Sequence, residues 1–260
     1  MSKIKNSVIL ITGAASGIGK ELVLILDEMA AKKLILLDIN ETGLYELGKR
    51  IKTEHQIVCI DLSQDVSLNE NFNKVVGENV VDIVIANAGL GGINPGDQFN
   101  EQINRKMMSV NFFGTTGVVS AVLEKMINQN SGHIVGVASL AGLRGMPQAA
   151  SYCASKAAQI TYLESLRLDL KPYNIKVTTV LPGFIATKMT NHDEFKMPFM
   201  LSAKNTASKI ISAIKKNKRH AYFPFPMNAL SLFNRFLPGR FYDWIILLIN
   251  PPQKKKAKIF

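Results

Sequence analysis

The chain has 260 residues and a net charge of +11, with 47% hydrophobic and 20% charged residues. This length and composition indicate a globular protein with a sizeable core, and they exclude an intrinsically disordered chain. Cys59 and Cys153 are the only cysteines, so a disulfide framework is excluded and a reducing, cytoplasmic setting is expected. We recognise neither a signal peptide nor an apolar run of about 20 residues, the length that spans a bilayer.

Short apolar runs alternate along the chain with longer segments of helical length. The runs are rich in Ile, Val and Leu and lack a polar face of period two, which is typical of strands buried on both faces. The predicted strands are residues 7–12, 33–38, 56–60, 82–89, 132–139, 175–183 and 220–225. The predicted helices are residues 17–31, 41–53, 66–78, 99–129, 151–171 and 202–217. This alternation predicts an α/β fold with a doubly wound parallel sheet, the Rossmann fold, in one domain over residues 1–225.

A glycine-rich loop, "TGAASGIG" at residues 12–19, joins the first predicted strand to the first predicted helix. Glycines allow a tight turn and a close approach of backbone to a pyrophosphate, and the helix N-terminus supplies unpaired N–H groups. The loop therefore predicts a dinucleotide site that includes Gly13, Ser16, Gly17, Ile18 and Gly19.

Asp38 ends the second predicted strand, 19 residues after Gly19. A carboxylate at this place accepts hydrogen bonds from the adenosine ribose hydroxyls and repels a 2′-phosphate. Ile39 and Asn40, which follow, offer no cation to such a phosphate. We therefore expect Asp38 and Ile39 to border the ribose, and NAD(H) to be preferred over NADP(H).

The stretch "SYCASK", residues 151–156, places Tyr152 and Lys156 four residues apart. In a helix their side chains lie on one face, one turn apart. An ammonium near a phenol stabilises the phenolate, so the phenol pKa falls towards the range of acid–base catalysis. By itself the spacing is also common on solvent-exposed helices.

Six motifs in register resemble the short-chain dehydrogenase/reductase family. The resemblance covers roughly residues 5–223. The motifs are "TGAASGIG" at 12–19, "NAG" at 87–89, Asn111 in "SVNFFG", Ser139 in "VASLAG", "SYCASK" at 151–156 and "PGFIAT" at 182–187. The resemblance implies a secondary alcohol–ketone oxidoreductase that transfers a hydride with a nicotinamide cofactor.

Four catalytic residues are implied by the resemblance. Tyr152 handles the proton, and Lys156 tunes Tyr152 and binds the nicotinamide ribose. Ser139 holds the substrate oxygen. Asn111 anchors a water that links Lys156 to bulk solvent.

Further cofactor positions are implied by the same resemblance. Asp61 and Leu62 would flank the adenine, and Asn87 would pin neighbouring strands. The backbone of Ala88 and Gly89 would lie near the adenosine ribose. The nicotinamide side would be bordered by Pro182, Gly183, Ile185 and Thr187.

Substrate specificity is expected in a mobile lid at about residues 188–203 and in the loop after Ser139. Both segments are rich in flexible apolar side chains, which favours an apolar steroid-, retinoid- or acyl-like substrate. The side chains are Met189, Phe195, Met197, Phe199 and Met200 in the lid and Leu140, Leu143 and Met146 in the loop. The alternative is that they only pack on the domain.

Residues 226–260 form an amphipathic, aromatic-rich extension that ends in the basic run "KKKAK". Pro238 and Gly239 predict a break between two short helices. Aromatic side chains followed by lysines favour peripheral membrane contact, and a subunit interface or a lid over the substrate mouth are the alternatives. The aromatic and aliphatic side chains are Phe233, Phe236, Phe241, Trp244 and the run 245–249.

Other functions have weaker support in the sequence. The basic runs at 215–220 and 254–258 lack interleaved aromatic residues and a recognisable module, so we expect no nucleic-acid binding. The four histidines lack metal-ligand spacing, so no metal site is expected. A membrane-associated NAD(H)-binding protein without turnover is the alternative to an enzyme, and the complete set of four catalytic residues argues against it.

Two further expectations concern packing. The family commonly forms homodimers or homotetramers through helices that correspond to 99–129 and 151–171 here, and we expect the same by analogy. Cys59 is expected in the core because it lies in a predicted buried strand, and Cys153 is expected to face helix packing rather than to act as a redox switch.

Overall fold

The computed structural model describes residues 4–64, 68–186, 199–249 and 258–259. Its strands are β1 (Val8–Thr12), β2 (Lys33–Asp38), β3 (Glu54–Cys59), β4 (Ile83–Ala86), β5 (Gly92–Ile93), β6 (Gly132–Val137), β7 (Ile175–Pro182), β8 (Ile185–Ala186), β9 (Leu201–Ser202), β10 (His220–Phe223) and β11 (Lys258–Ile259). Its α-helices are α1 (Gly17–Glu28), α2 (Glu41–Gly48), α3 (Leu68–Val76), α4 (Glu101–Met108), α5 (Gly114–Asn128), α6 (Ala150–Asp169), α7 (Ala203–Lys215), α8 (Met227–Phe236) and α9 (Gly239–Ile249).

Seven of these strands form one parallel sheet in the order β10-β7-β6-β4-β1-β2-β3. Successive side chains of a strand point to opposite faces, and here both faces are covered by helices. Ile9 and Ile11 of β1 pack in one core cluster with α1 and α7, whereas Leu10 packs in the opposite cluster with Phe72 of α3 and Val118 of α5. The predicted doubly wound parallel sheet is confirmed, and burial on both faces explains the unbroken apolar runs.

The strand order reverses direction at β1, which lies between β2 and β4. In open parallel sheets a crevice forms at the carboxyl ends of the strands on either side of such a point. The glycine loop follows β1, and Asn87 follows β4, so both lie at this edge. The topology thus places the predicted cofactor residues together.

The predicted helix at 99–129 is divided, because residues Ser109–Phe113 form a π-helical turn between α4 and α5. Asn111 lies within this turn and is fully buried. Such turns insert an extra residue into a helix and often occur at functional sites. The turn changes the direction of the Asn111 side chain relative to a regular α-helix. The hydrophobic periodicity of the sequence did not indicate this turn.

Cys59 is exposed, and the prediction that it lies in the core is wrong. Among the described strands, β3 is the last of the sheet and is paired on one side, by β2. The burial of Cys153 agrees with the prediction.

The extension begins with α8 and α9, separated at Leu237 and Pro238 as the sequence predicts. Arg144, in the loop after β6, donates to the carbonyl oxygens of Asn234 at 2.5 Å and Leu237 at 2.7 Å. Its guanidinium also lies 4.0 Å from the ring centroid of Tyr242, and the Tyr242 hydroxyl donates to the Gly145 carbonyl oxygen. Because Arg144 satisfies carbonyls that end α8, it fastens both helices to the loop.

The chain returns to the domain after α9. Lys258 and Ile259 of β11 pair antiparallel with Gly92 and Ile93 of β5. Within the described part of the chain, every helix is too short or too polar to cross a bilayer.

Candidate active site

A cleft of about 460 Å³ opens at the carboxyl edge of the sheet. Most of the predicted site residues line it. They are Gly13, Ser16, Gly17, Ile18, Asp38, Ile39, Asp61, Leu62, Asn87, Ala88, Gly89, Ser139, Tyr152, Lys156, Pro182, Gly183 and Ile185. Gly19 and Asn111 lie behind the lining and support it, and Thr187 falls outside the described residues.

The glycine loop closes tightly on itself and on the end of β4. Gly13 has φ +67° and Gly17 has φ +52°, a region that favours glycine. A Cβ on Gly13 would lie 2.9 Å from the Ala88 Cα, and one on Gly19 would lie 1.9 Å from the Gly13 carbonyl oxygen. The Ser16 side chain makes no capping hydrogen bond to the first turn of α1. The loop therefore leaves helix N–H groups and open backbone at the cleft, which fits a pyrophosphate.

Asn87 pins the ends of two strands together. Its Nδ2 donates to the carbonyl oxygens of Thr12 at 3.1 Å and Gly13 at 3.2 Å. The Thr12 hydroxyl in turn accepts from the backbone N–H groups of Asn87 and Ala88, each at 3.0 Å. Thr12 was not predicted, although its place as the last residue of β1 could have indicated it.

The Asp38 carboxylate is held at the rim of the cleft by backbone donors. Its Oδ2 accepts from Ala15 N and its Oδ1 from Asn40 N, both at 2.9 Å. Each carboxylate oxygen can accept a second hydrogen bond. Asp38 can therefore accept from ribose hydroxyls without releasing the loop, while Ile39 beside it is 62% exposed.

Asp61 lines the cleft just after β3, next to the end of β2. Burial raises the pKa of its carboxyl, but hydrogen bonds from Ser63 and Gln64 outweigh that effect, and the pKa is lowered. The Ser63 N–H donates to Oδ1 at 2.8 Å. Lys106 of α4 also lines the cleft and lowers the same pKa through its charge. Sequence reasoning missed Lys106, because only the fold brings α4 to this part of the cleft.

Tyr152 and Ser139 meet at the deep end of the cleft. The Ser139 hydroxyl hydrogen-bonds the Tyr152 phenol, and it also accepts from Ala141 N at 3.1 Å. Burial raises the pKa of Tyr152, and the hydrogen bond from Ser139 only partly opposes this. The phenol of the cofactor-free protein is therefore protonated at neutral pH. The sequence predicted the opposite shift, which arises only where positive charge faces the phenol.

Lys156 is only 4% exposed, and its Nζ lies 5.9 Å from the Tyr152 ring centroid. The Nζ donates to the Val137 carbonyl oxygen at 3.1 Å and to Gln159 Oε1 at 2.8 Å. Burial lowers the pKa of Lys156 to about 7. About half of this lysine is therefore uncharged near pH 7.

Asn111 binds the loop that follows β4. Its Nδ2 donates to the Leu90 carbonyl oxygen at 3.0 Å and to Ser155 Oγ at 2.8 Å, and its Oδ1 accepts from Leu90 N at 2.7 Å. A Cβ on Gly89 would lie 3.2 Å from both Asn111 Oδ1 and Lys156 Nζ. Asn111 therefore holds the loop of Gly89 close to Lys156. Because Gly89 has no side chain, space remains beside Lys156 Nζ.

The predicted apolar substrate wall is only partly formed by the described residues. Leu140 packs in a small core cluster, and Leu143 and Met227 of α8 pack against it. Met146 is 37%, Phe199 59% and Met200 41% exposed. Met189, Phe195 and Met197 fall outside the described residues, as does most of the predicted lid. The contact with Met227 brings the extension to the substrate side.

Lys156 should make the stability of the cofactor-free protein depend on pH. Its pKa is lowered to about 7 in the folded state and returns to about 10.4 on unfolding. Between these values the unfolded chain binds more protons, so stability rises with pH, by about 2 kcal/mol from pH 7 to pH 9. Urea unfolding of wild type and Lys156→Met measures this: the free energy of unfolding of wild type minus that of the variant should rise by about 2 kcal/mol from pH 7 to pH 9. Parallel pH profiles of the two proteins would contradict the assigned burial.

The fold and the cleft together define a nucleotide-binding α/β protein, and comparison with known proteins narrows the class. Residues 7–197 match the short chain dehydrogenase family. An uncharacterised oxidoreductase of Myxococcus xanthus is 30% identical over 250 residues, which cover 94% of this chain and 97% of the relative. The chain therefore belongs to the short-chain dehydrogenase family and is an oxidoreductase whose fold binds a nicotinamide cofactor.

Two other relatives bear on substrate and cofactor. Human 17-beta-hydroxysteroid dehydrogenase 13 is 30% identical over 249 residues, which cover 91% of this chain and 81% of the relative. A short chain dehydrogenase from Burkholderia cenocepacia, solved in complex with NADP, superposes with a TM-score of 0.80 at 25% identity. That alignment covers 95% of this chain and 99% of the other.

Proposed function

We propose that this protein interconverts a secondary alcohol and a ketone, with Tyr152 as the acid–base group and NAD(H) as the preferred cofactor. The observation that supports this most is the hydrogen bond between the Ser139 hydroxyl and the Tyr152 phenol, with Lys156 buried beside them. A nucleotide-binding protein without turnover would not need a proton donor and a hydroxyl converging on one point of the cleft.

In the direction of reduction, Tyr152 donates its proton to the carbonyl oxygen as negative charge develops there. The Ser139 hydroxyl orients that oxygen by a hydrogen bond. Lys156 stabilises the phenolate that remains, and its third N–H can reach a ribose. NADH supplies the hydride when bound. Asn111 positions the loop of Gly89 against Lys156, and in the direction of oxidation the phenolate accepts the alcohol proton.

The residues proposed to hold the cofactor follow the cleft from end to end. The pyrophosphate would lie on the loop of Gly13, Ser16, Gly17, Ile18 and Gly19. The adenosine would lie between Asp38, Ile39, Asp61, Leu62, Asn87 and Ala88. The nicotinamide end would be bordered by Tyr152, Lys156, Pro182, Gly183, Ile185 and Thr187. Gly89, which was expected near the adenosine ribose together with Ala88, lies close to Lys156 and would border the nicotinamide end as well.

The preference for NAD(H) rests on Asp38. A 2′-phosphate would meet this carboxylate, and Ile39 beside it carries no charge to offset the repulsion. Because the Burkholderia cenocepacia relative was solved with NADP, family membership leaves the choice open. We expect a Michaelis constant for NADPH at least about tenfold above that for NADH, a difference of about 1.4 kcal/mol in binding. An Asp38→Ser variant should narrow the gap, and equal constants in the wild type would contradict the proposal.

The substrate is proposed to be apolar, of the steroid, retinoid or acyl class. The flexible side chains in and beside the lid, and the hydroxysteroid dehydrogenase among the relatives, support this class. The test is NADH oxidation with a panel of apolar ketones set beside small polar sugars. Higher kcat/KM for the apolar compounds is expected, and a preference for the sugars would contradict the proposal.

The extension, residues 226–260, is proposed to dock a cytoplasmic protein peripherally on an anionic membrane. Eight of the 19 large hydrophobic side chains exposed in the described residues lie in the extension. They are Leu230, Phe233, Phe236, Phe241, Trp244, Leu247, Leu248 and Ile249. The extension carries six basic residues and one acidic residue, Asp243. Aromatic side chains beside excess positive charge suit the interface of anionic lipid.

Sedimentation with phosphatidylserine-containing vesicles tests the docking. Replacing Phe236 and Trp244 together by serine should weaken partitioning by at least about 100-fold, because burial of each side chain in the interface contributes about 1.5–3 kcal/mol. Tyr45→Ser on α2, an exposed aromatic outside the extension, is the matched control and should change nothing. Equal sedimentation of all three proteins would contradict membrane docking. The extension would then serve as a subunit interface or as a lid over the substrate mouth.

A homodimer or homotetramer is proposed through the helices near α5 and α6. Phe113, the last residue of the π-helical turn before α5, is 47% exposed, and Leu168, near the end of α6, is 70% exposed. Exposed apolar side chains on neighbouring helices suit an interface between copies. Sedimentation velocity of the purified protein measures the state directly, and a monomer at micromolar concentration would contradict the proposal.

A further inference from the structure

Gln159 is a fully buried amide on α6, three residues after Lys156. Its Oε1 accepts from Lys156 Nζ at 2.8 Å, and its Nε2 donates to Thr115 Oγ1 at 2.6 Å. The Thr115 hydroxyl donates to the Asn111 carbonyl oxygen at 2.9 Å. Side chains of α5 and α6 thus connect Lys156 to the π-helical turn without a break.

The contacts of Lys156 make Gln159 important for its position. An ammonium has three donors. Two of them bind the Val137 carbonyl oxygen and Gln159 Oε1, both of which are neutral dipoles. With two directions fixed, the third N–H has a defined direction, and Gly89 leaves space near Nζ.

We infer that Gln159 is a positioning residue, which holds the Lys156 ammonium against β6 and ties it through Thr115 to Asn111. The inference rests on the proposed function, in which Lys156 serves the phenol and the cofactor. An amide has no readily transferred proton at neutral pH, so the connection fixes geometry and charge and is not a path for protons.

The contact also stabilises the charged form of a lysine that burial drives towards neutrality. A side chain of similar size without the amide oxygen, as in Gln159→Met, removes the acceptor of Lys156 Nζ and should lower the pKa of Lys156 further. A carboxylate, as in Gln159→Glu, should raise that pKa. A residue that only fills space would not shift the titration of Lys156 in opposite directions in these two variants.

The test is the titration of Lys156 in the cofactor-free, full-length protein, followed by NMR of lysine labelled with ¹³C at Cε. A lysine that titrates near 7 stands apart from ordinary lysines near 10.4. We expect Gln159→Met to lower its midpoint by about one pH unit, the worth of one hydrogen bond to a charged group. Gln159→Glu should raise the midpoint by at least as much. Midpoints unchanged in both variants would overturn the inference.

A second pair of variants covers the case in which a Gln159 variant fails to fold. Thr115→Val removes the hydroxyl that accepts from Gln159, whereas Thr115→Ser keeps it. The valine variant should lower the Lys156 midpoint, and the serine variant should restore the wild-type value. Equal midpoints in the two would show that Thr115 only packs and would contradict the connection.

Binding of NADH, measured by its fluorescence, links the titration to the cofactor. If Lys156 binds the ribose as an ammonium, NADH affinity should weaken as pH rises through the Lys156 midpoint, and the Gln159 variants should move that weakening with the midpoint. A midpoint that moves while NADH affinity does not follow it would keep the role of Gln159 but count against the proposed role of Lys156. The two failures are therefore distinguishable.

Discussion

Replacing Tyr152 by phenylalanine is expected to lower the turnover of an apolar ketone with NADH by about 10²–10⁴-fold, the usual contribution of a general acid. The substitution removes one oxygen atom and keeps the ring in its half-buried place on α6. The NADH dissociation constant should change by less than about twofold, since the loop of Gly13 and the Asp38 carboxylate are untouched. Turnover is measured by NADH oxidation and binding by NADH fluorescence.

The matched control for this variant is Tyr45→Phe, which removes a hydroxyl from an exposed side chain on α2. It should leave both turnover and binding at wild-type values. If Tyr152→Phe retained most of the activity, the phenol would not be the proton donor. Loss of NADH binding in the same variant would instead indicate a structural role for the hydroxyl.

Replacing Gly19 by alanine is expected to disrupt cofactor binding. The added Cβ would lie 1.9 Å from the Gly13 carbonyl oxygen and 2.8 Å from Asn87 Nδ2, so the loop and the strand contact behind it must both move. Overpacking of this kind costs about 1–3 kcal/mol of stability. Because the displaced backbone is the one proposed to hold the pyrophosphate, NADH affinity should fall about tenfold or more.

Gly96→Ala is the control for this prediction, because a Cβ at Gly96 meets nothing within 4 Å. It should leave NADH affinity and the thermal unfolding temperature unchanged. Wild-type NADH affinity in Gly19→Ala would contradict the assignment of the loop. A fall in unfolding temperature without a fall in affinity would mean that the loop supports the fold but not the cofactor.

Local sequence features were sufficient to predict the parallel sheet and much of the cleft. Strands buried on both faces need aliphatic side chains at every position, so runs such as 33–38 stand out from the amphipathic helices between them. The ends of strands can also be read from the sequence. Gly13 comes directly after β1, and Asp38 is the last residue of β2. The positions of these residues at one edge of the sheet then follow from the parallel topology.

Features that depend on contacts distant in sequence could not be predicted. Cys59 looked buried because its strand is apolar, and only the strand order shows that β3 is at the edge. The side chain of Asn111, in the π-helical turn, hydrogen-bonds the backbone of Leu90 in the loop after β4, a contact between residues distant in sequence. The role of Arg144 needs α8 and α9 in place beside the loop after β6.

Gln159 lies between these two cases. Its spacing of three residues from Lys156 puts both side chains on one face of α6, which the sequence does show. That the face is buried, and that Thr115 of another helix meets the amide, are properties of the packed structure. A polar residue one turn from Lys156 is therefore a signal in the sequence that could have indicated Gln159.

Transfer of deuterium from NADH to a ketone tests the central claim most directly. The protein is incubated with NADH carrying deuterium at C4 of the nicotinamide, prepared separately in each stereochemical position, and with apolar ketones. We expect mass spectrometry to find one deuterium on the carbinol carbon of the product from one stereoisomer, with the labelled product formed about 10²–10⁴-fold more slowly by Tyr152→Phe. Bound NADH that delivers no label to any ketone would contradict the proposed reaction and favour a cofactor-binding protein without turnover.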